Sequence, residues 1–378
     1  MNPRLNSAVK VTALAAAVIF SAAGFAQDNS STSNWSTTTQ QQDPNGAFNP
    51  SRTKVTHTEA DGRSIDNKSV QVLGPDGRYV PYSDVETESV KVNSTTVRTI
   101  QRAYGTDVDG RRVLVQVREE ESSKLPGGEM KVTRTTSNPD ADGKLQVVQR
   151  EIADSKLVSP DVRDTKTTVL TPDIEGRFSP SVQIDERQKK NSDGSVEFKK
   201  STQTSDGSGG WQTSEVREGV SKVENGQEVG KEETVSRPNG DGKLGVVERT
   251  VTKASSSAPG DSRRTTETYS TNVPGVANDS GLQLVRRETI SSQTSPTGEH
   301  STTRQVEHTT PGTPEDGLRV TEKTIDIVRP GANGMADQKR TVMGPDADGR
   351  LREVWVDVGK TDNPAAVQVD TKAPPKQQ

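Results

Sequence analysis

One recurring phrase has the spacing of a metal loop. Asn138-Pro139-Asp140-Ala141-Asp142-Gly143 sets side-chain oxygens two residues apart ahead of a glycine, and Asp346-Ala347-Asp348-Gly349 repeats the core of it. A calcium loop presents oxygen ligands at positions 1, 3 and 5, glycine at 6 and a bidentate glutamate at 12. The candidate ligands are therefore Asn138, Asp140, Asp142, Asp346 and Asp348. The twelfth position, however, is Gln149 in the first copy and Trp355 in the last. A further copy has Glu248 at position 12 but opens on Arg237, which repels a cation. No copy completes the loop, so the preferred reading is a hairpin turn, with calcium as the alternative. In that turn Asp-Gly supplies the φ > 0 positions and a basic residue opens the next strand.

Other chemistry finds less support. The chain has no cysteine, which removes thiolate nucleophiles, thiolate metal sites and disulfides. His57, His300 and His308 stand in polar, Thr-rich surroundings without a nucleophile setting, and His300 with His308 lacks a nearby third zinc ligand. Carboxylates are abundant, so no pair of them singles itself out as a glycosidase site. No phosphate-cradling glycine loop precedes a helix. Trp211, Trp355, Tyr79 and Tyr82 could stack on sugar rings, but local packing over a sheet face is the more economical reading. No catalytic residue is assigned, and the chain is expected not to be an enzyme.

The elements that position these residues follow from the repeat. Glycine anchors at Gly110, Gly143, Gly176, Gly242, Gly281, Gly317 and Gly349 recur with a period of about 34 residues, the range of supersecondary arrays. After each anchor β-branched and polar residues alternate, as in Val113-Leu114-Val115-Gln116-Val117-Arg118. About ten residues later come turn formers such as Pro126-Gly127-Gly128 and Asn191-Ser192-Asp193-Gly194, and a Thr-rich stretch returns to the next anchor. A helical spacing competes at Leu145, Val148 and Ile152, but the run is short, β-branched and uncapped. Asp346-Ala347-Asp348-Gly349-Arg350-Leu351 also resembles the D-x-x-G-R-L core of bacterial YD repeats. That likeness covers six residues, with Pro345 where the family has tyrosine, and assigns no family.

The expected fold class is all-β: an elongated antiparallel β-hairpin array, a thin sheet with little core. Only 27% of the 378 residues are hydrophobic and 3% aromatic, too few for filled domains. Arg4, Lys10, the apolar run Val11–Phe20 and small residues ending at Ala26 spell a signal peptide over 1–26. Residues 27–50, rich in Ser, Thr and Gln, read as a flexible spacer, 51–105 as an irregular N-terminal β segment, 106–360 as the array, and 361–378 as a disordered tail. The net charge of −4 is spread evenly, so nucleic acid is not an expected partner. No membrane span is expected after signal cleavage. These readings imply an exported periplasmic or extracellular protein whose polar surface binds envelope glycans or proteins. A calcium-dependent adhesive module and a polysaccharide-acting enzyme are the alternatives.

Overall fold

Val, Ile and Thr alternating with charged residues suit a pleated surface, and the chain pairs them into one sheet of twenty antiparallel strands. The computed structural model describes residues 31–42, 48–73, 77–107, 109–224, 227–258, 260–272, 281–310, 317–331, 335–346 and 348–361. The strands begin as β1 (Ser31–Gln42), β2 (Phe48–Ala60), β3 (Arg63–Leu73), β4 (Tyr79–Lys91) and β5 (Thr96–Thr106). They continue as β6 (Arg112–Lys124), β7 (Met130–Pro139), β8 (Leu145–Ser159), β9 (Val162–Pro172) and β10 (Phe178–Lys190). Next come β11 (Ser195–Ser205), β12 (Trp211–Glu224), β13 (Gln227–Pro238), β14 (Leu244–Ala258) and β15 (Asp261–Ser270). The last are β16 (Gln283–Thr294), β17 (His300–Thr309), β18 (Leu318–Pro330), β19 (Ala336–Pro345) and β20 (Leu351–Thr361). Each strand pairs with its neighbours in the chain, and β1 pairs with both β2 and β20, in the latter case from Trp35↔Thr361 to Gln41↔Trp355. The sheet therefore closes on itself as an up-and-down barrel with no free edge.

Closure corrects the expected open array. The antiparallel hairpins are there, but they curve. Register shifts at Val70/Gln71, Ala103/Tyr104 and Thr136/Ser137 recur at a step of 33 residues, and Thr202/Gln203, Val235/Ser236 and Thr268/Tyr269 continue the series. A β-bulge bends its strand and strengthens local twist. This recurring series, with further shifts at Leu157/Ser159, Lys222/Val223 and Ser256/Ala258 toward the opposite strand ends, accumulates curvature into a closed wall. A flat sheet would need the bulges to be absent.

The Ser/Thr/Gln-rich stretch is a second correction. Residues 31–42 form β1 and Phe48 opens β2, inside the region expected to be a spacer. Thr-rich sequence without a hydrophobic period can still pair when both flanking strands offer unsatisfied N–H and C=O groups, and β1 fills that place between β2 and β20. Strands β2 to β5 belong to the same sheet as β6 to β20, so no structural break separates 51–105 from 106–360. The expected signal peptide, and the tail beyond Thr361, lie outside the described residues. None of the described helices is long and apolar enough to cross a membrane.

The two faces of the wall differ in exposure. Along β13, Lys231, Glu233 and Val235 are shielded (Val235 is 2% exposed) while Glu232 between them is open. Along β19, Ala336, Gln338, Arg340 and Val342 are shielded against the open Asp337 and Lys339. Side chains converge on the concave side of a closed sheet, so the shielded set faces the lumen and the open set faces outward. Buried apolar residues are few among those described: Val117, Val235, Val306, Ala336 and Val342. Eight strands make a barrel that side chains can fill. Twenty leave a hollow.

Candidate functional site

The lumen wall gathers most of the shielded charge. Arg134 on β7 reaches Glu120 on β6 and Glu151 on β8, both at 2.6 Å. Arg304 on β17 likewise bridges Glu288 on β16, at 2.6 Å, and Glu322 on β18. Arg217 joins Glu215 at 2.5 Å and Glu233 at 3.1 Å, and Arg340 binds Asp326 at 2.6 Å. The register sets Arg134 directly between two carboxylates, as Glu120↔Arg134↔Glu151, while Arg304 reaches Glu288 and Glu322 diagonally and Arg217 reaches Glu215 along its own strand and Glu233 diagonally. Hydroxyl pairs fill the rows between, with Ser155 to Thr165, Thr252 to Thr266 and Ser292 to Thr302 all at 3.0–3.1 Å. The wall is thus polar yet internally neutralised, a lining that holds water without a dominant sign of charge.

One rim carries the repeated turns. At each, an Asp or Asn side chain caps its own loop: Asp140 Oδ1 accepts the N–H groups of Asp142 and Lys144, both at 2.9 Å. Asp107, Asp173, Asp206, Asn239 and Asp346 do the same. The backbone makes a type I turn closed by Gly143 N–H to Asp140 C=O at 3.0 Å, and Gly143 follows at φ 78°. Only the glycine is left-handed, not the Asp-Gly pair as expected; Asp61-Gly62 is the place where both residues have positive φ. Gly110, Gly143, Gly176, Gly242, Gly281, Gly317 and Gly349 all have φ between 74° and 79°. The Asp140 carboxyl is held below its ordinary value, first by the Gln146 amide and then by the Lys144 N–H. Asp173, Asp206 and Asp346 are lowered too, led by the N–H groups of Arg177, Ser208 and Arg350.

These turns do not form oxygen cages. Asn138 lies on β7, where its side-chain oxygen accepts from Gln116, and Asp142 and Asp348 contribute N–H groups to the caps. Among the described residues no three His, Cys, Asp or Glu side chains converge. The histidines stay apart as well. His57 bonds Asp66 at 2.7 Å across β2 and β3. His300 and His308 share the lumen face of β17 but are eight residues, roughly 27 Å, apart. Trp355 donates to Asp357 at 2.7 Å, and Arg52 stacks over Tyr79 at 3.9 Å. The lumen ion pairs were missed in the sequence. Their signal was a spacing of 14 to 18 residues between opposite charges across a turn, as in Glu120/Arg134 and Arg304/Glu322.

No family model matches the chain, and no curated protein does. Solved structures do resemble it. The siderophore receptor PirA from Pseudomonas aeruginosa aligns over 89% of this chain and 80% of its own, with a TM-score of 0.50 and 8% identity. Pseudomonas aeruginosa OpdO aligns over 88% of this chain and 95% of its own, with a TM-score of 0.41 and 8% identity. The likeness to PirA is one of fold. With the closed sheet, it overturns the reading of an open polar sheet displayed as a soluble adhesive or scaffold, and with it the calcium-dependent adhesive alternative. The wall's two faces are the inside and outside of a tube, not two display surfaces.

The outward face is charged at mid-strand, at Lys199–Glu218 and Arg249–Glu232, and toward the strand ends, at Arg187–Asp164. Arg187 pairs with Asp164 at 2.8 Å, Lys199 with Glu218 at 3.4 Å, and Arg249 with Glu232 at 2.8 Å. These pairs are open to solvent, with Arg187 62% exposed where the lumen Arg134 is 20%. A lipid-facing wall carries an apolar band roughly 25 Å tall. The described outward residues present ion pairs at that height.

Proposed function

We propose that this chain is a barrel of the bacterial envelope whose water-filled lumen passes small hydrophilic solutes, without catalysis. The observation that carries the reading is the β1–β20 pairing, which closes twenty strands around a polar, charge-neutralised wall. Barrels of 16 to 18 strands already leave an aqueous channel. The outward ion pairs set how such a tube is housed. A lysine or arginine on the lipid face costs about 2–4 kcal/mol at the bilayer midplane and close to nothing near the interface. For the tube to cross the bilayer, headgroups or a polar partner must cover these outer charges.

The absence of cysteine makes the test clean. Ala153 faces the lumen on β8 and Ile152 faces outward beside it. In a bacterial host deficient in outer-membrane channels, expression should raise uptake of a small hydrophilic dye. A bulky maleimide on Ala153→Cys should suppress that gain, and the same label on Ile152→Cys should not. Uptake unaffected by the folded, exported chain, or equal effects of the two labels, overturns the proposal.

A further inference from the structure

Among the described residues, the outer wall gathers an excess of positive charge at one groove. Elsewhere on that face cations such as Lys199 and Arg249 have carboxylates across the ladder, Glu218 and Glu232. At the seam, where β20 meets β1, the register sets two rungs side by side. One runs Arg329, Asp337, Lys360, Ser36, Lys54, and the other Ile327, Lys339, Val358, Thr38, Arg52. A groove of about 720 Å³ lies over them, lined by five basic side chains and a single carboxylate, Asp337. Asp337 pairs loosely with Lys360 at 3.6 Å, and Arg329 is bound to Glu299 at 2.5 Å. Lys54 and Lys339 have no ion-pair partner among the described residues.

The cause is in the sequence of the closing strand. β1 reads Ser-Thr-Ser-Asn-Trp-Ser-Thr-Thr-Thr-Gln-Gln-Gln and contains no acid. It stands between β20 and β2, so Lys360 and Lys54 face serine where other strands supply glutamate. Strands lie about 4.8 Å apart, which puts Lys54 and Lys360 roughly 10 Å from each other and Lys339 and Arg52 roughly 14 Å. Ile327 and Val358 give the groove an aliphatic floor, and low-polarity walls strengthen the attraction of a cation for an anion.

We infer that this seam groove binds a polyanion carrying several phosphate groups. The lysine heads act as mobile point charges and Arg52 and Arg329 as planar forks, two complementary ways of holding phosphate oxygens. The inference does not depend on the lumen being a conduit. Phosphate can come from a soluble polyphosphate or from a membrane headgroup, and two probes separate these sources. Inorganic tripolyphosphate is titrated calorimetrically into the full chain, and sedimentation is measured with phosphatidylglycerol vesicles against phosphatidylcholine vesicles.

Binding to either phosphate probe should weaken at least tenfold in Lys54→Gln/Lys339→Gln and as salt is raised. It should persist in Lys54→Arg/Lys339→Arg, which keeps the charge and controls for folding. Lys189→Gln/Lys199→Gln removes two outward lysines that have glutamate partners, and should bind as the parent does. Tripolyphosphate binding alone assigns the groove to a soluble polyanion, and selective binding of the anionic vesicles alone assigns it to headgroups. Failure of the parent chain to bind either probe, or equal binding by the Lys54→Gln/Lys339→Gln variant, overturns the inference.

Discussion

Gly143 holds φ 78° with open space where a Cβ would stand, so its cost on substitution is conformational alone. Gly143→Ala should destabilise the barrel by roughly 1–2 kcal/mol, the penalty of the left-handed region for a side chain, read by denaturant melts. The neighbouring Asp140 makes a sharper case. Its oxygens are bonded by Gln146, Lys144 and Asp142, and these bonds favour the ionised form and depress its pKa. Such a group contributes stability fully above the unfolded value of about 3.9, and loses it as pH falls through the lower folded value. Asn239 occupies the equivalent turn and accepts the same two N–H bonds, at 3.0 Å. Asp140→Asn keeps the two N–H bonds but loses the charge and the second acceptor oxygen, so it should melt slightly below the parent at pH 7 and lose part of the acid sensitivity below about pH 4. Asp140→Ala, which removes the cap, should lower the melting temperature on the order of 1–2 °C. An equal loss in both variants would show that charge, not the cap, matters there. These turns were legible in sequence because glycine and aspartate have few other reasons to recur together. Their calcium alternative was not separable from a turn by spacing alone, since both need oxygen atoms ahead of a glycine.

At the level of the strand, the hairpin period and the β class could be read from alternation, and the curvature could not. A bulge such as Thr136/Ser137 leaves no residue type of its own, so a sequence with one bulge per unit looks like a flat ladder. β1 was misread for a related reason. Its Ser, Thr and Gln carry no hydrophobic period, and its place is dictated by the two strands awaiting partners. Because β1 is paired on both sides, it has no edge position that tolerates proline. Thr38→Pro should release the seam, expose β2 and β20, and shift the protein to higher oligomers in size-exclusion chromatography. Retention at the parent elution volume would mean that β1 is dispensable for closure. Close packing marks another strand pair. A Cβ on Gly219 would lie 2.0 Å from the Glu232 carbonyl oxygen, whereas at Gly230 the nearest atom is 3.9 Å away. Gly219→Ala should cost about 1–3 kcal/mol by forcing β12 from β13. Gly230→Ala should stay within about 0.5 kcal/mol of the parent, so similar losses in both would remove the close approach as the cause.

A tube with five buried apolar side chains among its described residues cannot owe its closure to a core. Its strands are held by ladder hydrogen bonds and by charges placed across them, and low hydrophobicity, read in the sequence as a thin sheet, is equally the composition of a hollow one. Which charges face inward was not legible, because each strand alternates and parity acquires meaning only when the sheet curves. Once it does, Arg134 and Arg304 each bind two lumen carboxylates, Glu120 with Glu151 and Glu288 with Glu322, and Arg286 shares Glu288. Removing one partner of a fully buried pair costs about 3–5 kcal/mol. These groups are only partly shielded, so Arg134→Gln should cost roughly 1–3 kcal/mol and leave the barrel folded. What changes is the field inside it. With Arg134→Gln/Arg304→Gln the lumen keeps its acids and loses two compensating charges, and a wall of one sign concentrates ions of the other. In the uptake assay the double variant should favour a cationic over an anionic dye of equal size several-fold more than the parent does, with the bias shrinking as salt is raised. Solute that travels along this wall must register the change; an unaltered ratio in a folded variant would place its route elsewhere.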